Sequence, residues 1–202
     1  MVNDMMNKIL HPAESLVLSK VPESVRQRAQ NIRLVAFDVD GVLTDGSLLY
    51  NEAGEQLKRF NALDGHGLKM LKQSGIRVVL ITGRSGPIVM RRAADLGIAL
   101  VYQDARDKAQ LISTIASDQN LNLDQIAYLG DDIIDLQAMQ KVGLAVSVPH
   151  APIYIQQAAH WVTTVNGGFG AARELADIIL ASQGLLGPFL QGSLLVRGVA
   201  IQ

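Results

Sequence analysis

The sequence predicts an α/β fold, a Rossmann-like parallel sheet with helices on both faces. Three observations carry that prediction. Apolar runs of strand length recur at 34–39, 78–82, 99–103, 126–130 and 144–148, with a weaker sixth at 161–164. Helical patterns separate them at 66–74, 86–96, 107–119, 133–142, 151–159 and 170–183. The strand runs are continuously apolar and do not alternate, as expected for a sheet covered on both sides. Strands alternating with helices of this length imply right-handed parallel crossovers.

The helix at 107–119 displays the period best. Ala109, Ile112, Ile115 and Ala116 share one face, and Asp107 stands where an N-cap belongs. One segment breaks the rhythm. Between the first strand and the helix near 66, "SLLYN" and "QLKRF" flank "EAGE". This reads as a β-hairpin insertion over about 46–62, with a four-residue turn containing Gly54. Residues 1–31 read as an N-terminal extension, a packing arm or partly disordered tail holding a short helix at "VPESVRQRAQN". The main body spans 32–186. The tail at 187–202 is apolar and punctuated by glycine, and is expected to dock on its own body or on a neighbouring subunit.

The bulk composition narrows the class. The 202 residues suit one domain, and 49% hydrophobic against 18% charged residues supplies a substantial core. A net charge of −1 argues against a dedicated nucleic-acid binder, which needs a basic face. With no cysteine, disulfides and thiolate metal sites are impossible, leaving carboxylates and four histidines as metal ligands. No stretch approaches the roughly 18 apolar residues of a membrane span, and the N-terminus is too polar for a signal peptide. A soluble, cytoplasmic protein is expected.

Ligands of such sheets bind beyond the carboxyl ends of the strands. There the sequence places Asp38 and Asp40, then Thr82, Gly83 and Arg84, then Lys108, then Asp131, Asp132 and Asp135. Asp38 and Asp131, with Asp132 as a further candidate, are hard oxygen ligands whose mutual repulsion a Mg²⁺ ion would relieve. Lys108 is a compact charge suited to a phosphoryl oxygen, and Thr82 is a donor to the same group. This set suits phosphomonoester hydrolysis. Asp38 attacks phosphorus to give an aspartyl-phosphate, while Asp40 protonates the leaving alcohol and then deprotonates water. Gly41 lets the backbone turn away after the strand. The histidines have no partners at ligand spacing, although His66 lies near the rim, and "GGFGAA" does not fit a dinucleotide loop.

In order, "DVDGVLTDG", "TGR", the Lys108 segment and "GDDIID" resemble the four motifs of the haloacid dehalogenase superfamily. With "GEQLKRFNALDGHG" and "NGGFGAARELADIIL", the pattern is most similar to the 3-deoxy-D-manno-octulosonate 8-phosphate phosphatase family within it. That resemblance implies a capless phosphatase acting in lipopolysaccharide precursor synthesis. It implies a homotetramer whose hairpins pack together, with a neighbour helping to close each site. It implies Mg²⁺ held by Asp38, the backbone carbonyl of Asp40, and Asp131. It further implies that Asn61, Ala62, Leu63, Asp64, Gly65, Arg84, Arg92 and Lys108 touch a phosphorylated sugar acid. Lys69 stands where the family often has arginine. The residues leave two alternatives open: a phosphatase for N-acylneuraminate 9-phosphate or another sugar phosphate, and a phospho-accepting receiver module.

Overall fold

The computed structural model describes residues 11–190. Six parallel strands form the main sheet: β1 (Leu34–Asp38), β4 (Arg77–Ile81), β5 (Leu100–Tyr102), β6 (Ile126–Leu129), β7 (Leu144–Ser147) and β8 (Trp161–Val162). Their spatial order is β5-β4-β1-β6-β7-β8. The chain first builds outward from β1 through β4 to β5, then returns and builds the other way from β6. The direction reverses between β1 and β6, where the fold opens a crevice at the strand ends. β1, β6 and β7 are buried along their whole length, which is why their sequences are runs of apolar residues.

Helices cover both faces. α3 (Ala62–Gln73) packs on α8 (Ala171–Ser182) and on α4 (Pro87–Leu96). On the other face α5 (Lys108–Asp118), α6 (Ile133–Met139) and α7 (Ile153–Ala158) follow one another. Asp107 caps α5 by accepting from the Gln110 amide at 2.8 Å, as its position in the sequence implies.

The N-terminal stretch resolves one open alternative, and two further elements differ from the expectation. Residues 12–31 form α1 (Pro12–Leu18) and α2 (Glu23–Asn31), both packed on α8, with Leu18, Val21, Val25 and Ala29 in the core. Buried Glu14 locks α1 to the segment that follows α8 by accepting from the Leu186 and Gly187 amides at 3.0 and 2.9 Å. Of the two alternatives this stretch is therefore a packing arm and no loose tail, with α2 falling on the expected short helix. Its polar composition hid the role, because only one narrow face meets α8.

α3 begins at Ala62, not 66. The two glycines of "LDGHG" lie inside the helix and serve close packing. A side chain at Gly65 would strike Arg92, and one at Gly67 would press on the Arg173 backbone. Asn61 caps the helix through the Leu63 amide at 2.7 Å. The hairpin comprises β2 (Leu49–Asn51) and β3 (Gly54–Leu57), joined by the two residues Glu52 and Ala53. Gly54 opens the returning strand at φ +106°, so the turn is shorter than the four residues expected. Residues 1–10 and the tail segment 191–202 lie outside the described residues. Among the described residues no helix is long and apolar enough to cross a membrane.

Leu18→Ala is expected to lower unfolding free energy by about 2 kcal/mol, the low end for a core leucine near the surface. Chemical denaturation at fixed protein concentration measures it. No change would mean that α1 is not part of the core.

Candidate active site

β1 ends at Asp38, and the next residues wind into a tight turn in which the Leu43 and Thr44 amides donate to the Val39 carbonyl at 2.9 and 3.0 Å. Gly41 sits in this turn at φ +89°, and a Cβ there would lie 2.1 Å from Asp131 Oδ2. Both the backbone conformation and the closeness of Asp131 therefore demand glycine. The "NGGFG" segment packs behind the turn, with the Gly168 amide donating to the Val42 carbonyl at 2.9 Å. That segment supports the loop carrying the two aspartates.

The acids and the lysine converge. Lys108 Nζ donates to Asp38 Oδ1 at 2.5 Å and to Asp135 Oδ1 at 2.6 Å, wholly shielded from solvent. Asp38, Asp131 and Asp135 each offer a carboxylate oxygen, all within 4.8 Å of one another. A pocket of about 460 Å³ opens above them, lined by Asp38, Asp40, Gly83, Arg84, Asp131, Asp132 and Ile134. Lys108 lies beneath Asp38 and does not line the pocket. Thr82 is also buried, donating to Asp40 Oδ2 at 3.3 Å and accepting from the Arg84 amide at 3.1 Å.

Asp135 is the organiser that its sequence position concealed. Its Oδ1 accepts from Lys108 and from the Tyr128 hydroxyl at 2.7 Å. Its Oδ2 accepts from the Asp131 and Asp132 amides at 3.1 and 3.2 Å. Four donors fill it, so it orients its neighbours. Asp132 is the N-cap of α6 and is exposed at the pocket rim. Tyr128 carries no motif of its own and reads as one more apolar strand residue.

The charges do not balance within the cluster. Asp38, Asp131 and Asp135 face a single ammonium. Burial, and then the charge of Asp135, push the Asp38 carboxyl well above the usual range despite the pull of Lys108. Burial, Asp135 and Asp132 push Asp131 up to about 7. Burial works against the Lys108 ammonium, but Asp38 and Asp135 outweigh it and raise its pKa. A cluster of oxygen donors with this surplus of negative charge suits a hard divalent cation.

The hairpin leans on the same rim. Lys58, just after β3, bridges Asp40 Oδ1 and Glu55 Oε1, the latter at 2.7 Å, with its side chain almost fully covered. Tyr50 on β2 accepts from Arg84 at 2.9 Å. Neither Lys58 nor Tyr50 stands out in the sequence, because each gains a partner only when the hairpin folds back.

The other implied substrate contacts gather elsewhere. Arg92 lies over the Phe60 ring and donates to the Asn61 carbonyl at 3.1 Å, in the space that Gly65 leaves. Ala62 and Leu63 are exposed on the first turn of α3. Asp64 is buried and caps α8, accepting from the Gly170 and Arg173 amides at 3.2 and 2.9 Å. Within one chain, the Asp64 side chain is thus occupied in packing, and Gly65 has no side chain to offer a ligand. The α8 N-terminus needs an acceptor, and Asp64 provides it. None of residues 61–65, nor Arg92, lines the carboxylate pocket. Lys69 lies exposed along α3, also outside it.

Comparison with known proteins agrees with this geometry. The profile of haloacid dehalogenase-like hydrolases matches residues 94–175. A 3-deoxy-D-manno-octulosonate 8-phosphate phosphatase of Haemophilus influenzae is 42% identical over 160 residues, covering 79% of this chain and 89% of the relative. One from Yersinia pestis is 44% identical over 163 residues, covering 81% and 87%. The crystal structure of the Moraxella catarrhalis enzyme, in complex with magnesium ion, phosphate ion and a KDO molecule, superposes with a TM-score of 0.80. It is 40% identical and covers 82% of this chain and 95% of that one. The acid pair at the end of β1, the buried lysine and the acids after β6 thus sit in a chain similar to these enzymes over most of its length, and the chain belongs to the 3-deoxy-D-manno-octulosonate 8-phosphate phosphatase family of haloacid dehalogenase-like hydrolases.

Proposed function

We propose that the protein hydrolyses 3-deoxy-D-manno-octulosonate 8-phosphate to the free sugar acid and phosphate, in the cytoplasm, as a step toward lipopolysaccharide. The observation that carries this reading is the pairing of Asp38 with buried Lys108 under a pocket ringed by Asp40, Arg84 and Asp131. The relatives' names supply the substrate.

The chain's residues divide the work. Lys108 holds Asp38 Oδ1, which leaves Oδ2 for phosphorus. As Oδ2 forms its bond, the ester P–O bond breaks and its electron pair passes to the sugar oxygen, which takes a proton from Asp40. Asp40 then removes a proton from water. The resulting hydroxide attacks phosphorus, the bond to Asp38 breaks, and phosphate leaves. Lys108, beneath Asp38, holds that carboxylate from the protein side, while the cationic Arg84 in the pocket wall meets charge on the phosphoryl group and on the acid end of the substrate. Asp38, Asp131 and the backbone carbonyl of Asp40 would hold Mg²⁺, which neutralises charge on carboxylates and phosphoryl oxygens when bound. A receiver module, the other class, would stop after one phosphoryl transfer, whereas the family is one of phosphatases that turn over.

A homotetramer joined through the hairpins forms part of this reading. Leu48, Leu49, Tyr50 and Leu57 are exposed, and β2 and β3 form a separate two-stranded sheet. A lone hairpin is marginal in water, and a cluster of exposed apolar side chains favours association. Placing aspartate at both Leu49 and Leu57 is expected to reduce the sedimentation mass from four chains to fewer. An unchanged mass refutes the hairpin contact.

Phosphate release over a panel of sugar phosphates tests the substrate. The highest kcat/KM is expected for 3-deoxy-D-manno-octulosonate 8-phosphate, and a preference for N-acylneuraminate 9-phosphate would favour the alternative. Asp38→Asn should abolish turnover with no loss of melting temperature, since it removes a carboxylate from a crowded cluster; residual turnover above a trace would count against the nucleophile.

Asp131 sets a pH dependence. A carboxyl raised to about 7 in the fold holds a proton that the unfolded chain has already released. Without divalent ions, stability is therefore expected to fall as pH rises through the interval up to about 7. Mg²⁺ must displace that proton, so its affinity should rise with pH, by about tenfold per unit for one proton, and level off above 7. Melting curves with chelator and with Mg²⁺, together with calorimetric titrations at several pH values, measure both; a flat Mg²⁺ affinity refutes the role of Asp131.

A further inference from the structure

Lys58 has a place in the site that the reaction as written does not use. Its ammonium is buried between two carboxylates, Asp40 Oδ1 and Glu55 Oε1. Burial disfavours the charged ammonium, yet these two partners more than offset it. Both carboxylates belong to the chain, and the side chain is only 3% exposed, so Lys58 is not available to grip a substrate anion. Asp40 Oδ2 lies on the opposite side of its own carboxyl group, toward Thr82 Oγ1 at 3.3 Å and Arg84 Nε at 3.9 Å. The two oxygens of Asp40 are thereby made unequal.

We propose that Lys58, clamped by Glu55, is a positioning residue that pins Oδ1 of Asp40 and presents Oδ2 alone to the leaving oxygen. The inference rests on the phosphatase reading and adds a specific task for the hairpin. General acid catalysis needs the carboxyl within hydrogen-bond reach and correctly turned at the moment the ester bond breaks. Asp40 stands beyond the end of β1, where no sheet hydrogen bond holds it, so orientation must come from side chains. Thr82 supplies one weak contact and Lys58 a charged one. The proton passes from Oδ2 to the ester oxygen as that oxygen receives the electron pair of the breaking P–O bond. It is regained from water in the second half of the cycle, so Lys58 neither gives nor takes one.

The test compares leaving groups. A sugar or alkyl phosphate expels an alkoxide that needs the proton, whereas p-nitrophenyl phosphate expels a phenolate that leaves without one. In Lys58→Met, kcat/KM for the sugar phosphate is expected to fall by about tenfold or more beyond its fall for p-nitrophenyl phosphate. KM for the sugar phosphate should stay within about threefold of wild type, since binding does not use Lys58. Lys58→Arg should recover much of the difference, and Glu55→Gln should show a smaller loss with the same leaving-group bias. Equal falls on both esters would reduce Lys58 to a structural anchor of the hairpin and overturn the proposal. No fall, or a change confined to KM, would overturn it as well. A wild-type protein that releases phosphate from neither ester would instead sink the phosphatase reading, and this proposal with it.

Discussion

The structure depends on one buried interaction, the Lys108 ammonium held between Asp38 and Asp135. Taking such a group out of water is costly, and ion pairs of this kind seldom add net stability. What they provide is position. Asp135 is fixed by the Tyr128 hydroxyl and two backbone amides, Lys108 is fixed by Asp135, and Asp38 is fixed by Lys108. The chain of contacts runs from the middle of the sheet to Asp38, the carboxylate proposed to meet phosphorus. The surplus negative charge left over is the physical reason the rim favours a divalent cation, whose charge can then offset that of an anionic ligand.

Around this fixed centre the remaining parts differ in how firmly they are held. Asp38 belongs to a fully buried strand, so its direction is set by the core. Asp40 lies past the strand end and is half-buried, and the hairpin reaches over to hold it through Lys58, while Tyr50 holds Arg84. The hairpin presents its own apolar side chains outward. An event on that outer surface, such as contact with another copy, therefore has a short path to Asp40. The site thus joins a rigid half on the sheet to a half carried by the insertion.

Much of this was legible in the sequence. The six strand runs and the helices between them depend on apolar periodicity, and each falls within a few residues of its place in the fold. The departures have local causes. The start of α3 was hidden because Gly65 and Gly67 look unfavourable for a helix, while Arg92 and Arg173 need the room they leave. The hairpin turn was read long because Gly54 was assigned to it, whereas its positive φ begins the next strand. Of the two helices at 12–31 only the second was read, because an amphipathic helix declares its buried face only against a partner.

The sequence alone determined the strand order in time, the identity of the acids and the lysine at the strand ends, and the glycine that lets the chain turn after Asp38. These follow from local chemistry: apolar runs seek the core, and carboxylates at their ends must face the rim. Only the tertiary structure decided who meets whom. It made Asp135 the holder of Lys108, turned Asp64 to cap α8, and brought Lys58 to Asp40 across eighteen residues of chain. Such pairings arise from long-range closure of the sheet and the hairpin, and no spacing within one segment encodes them.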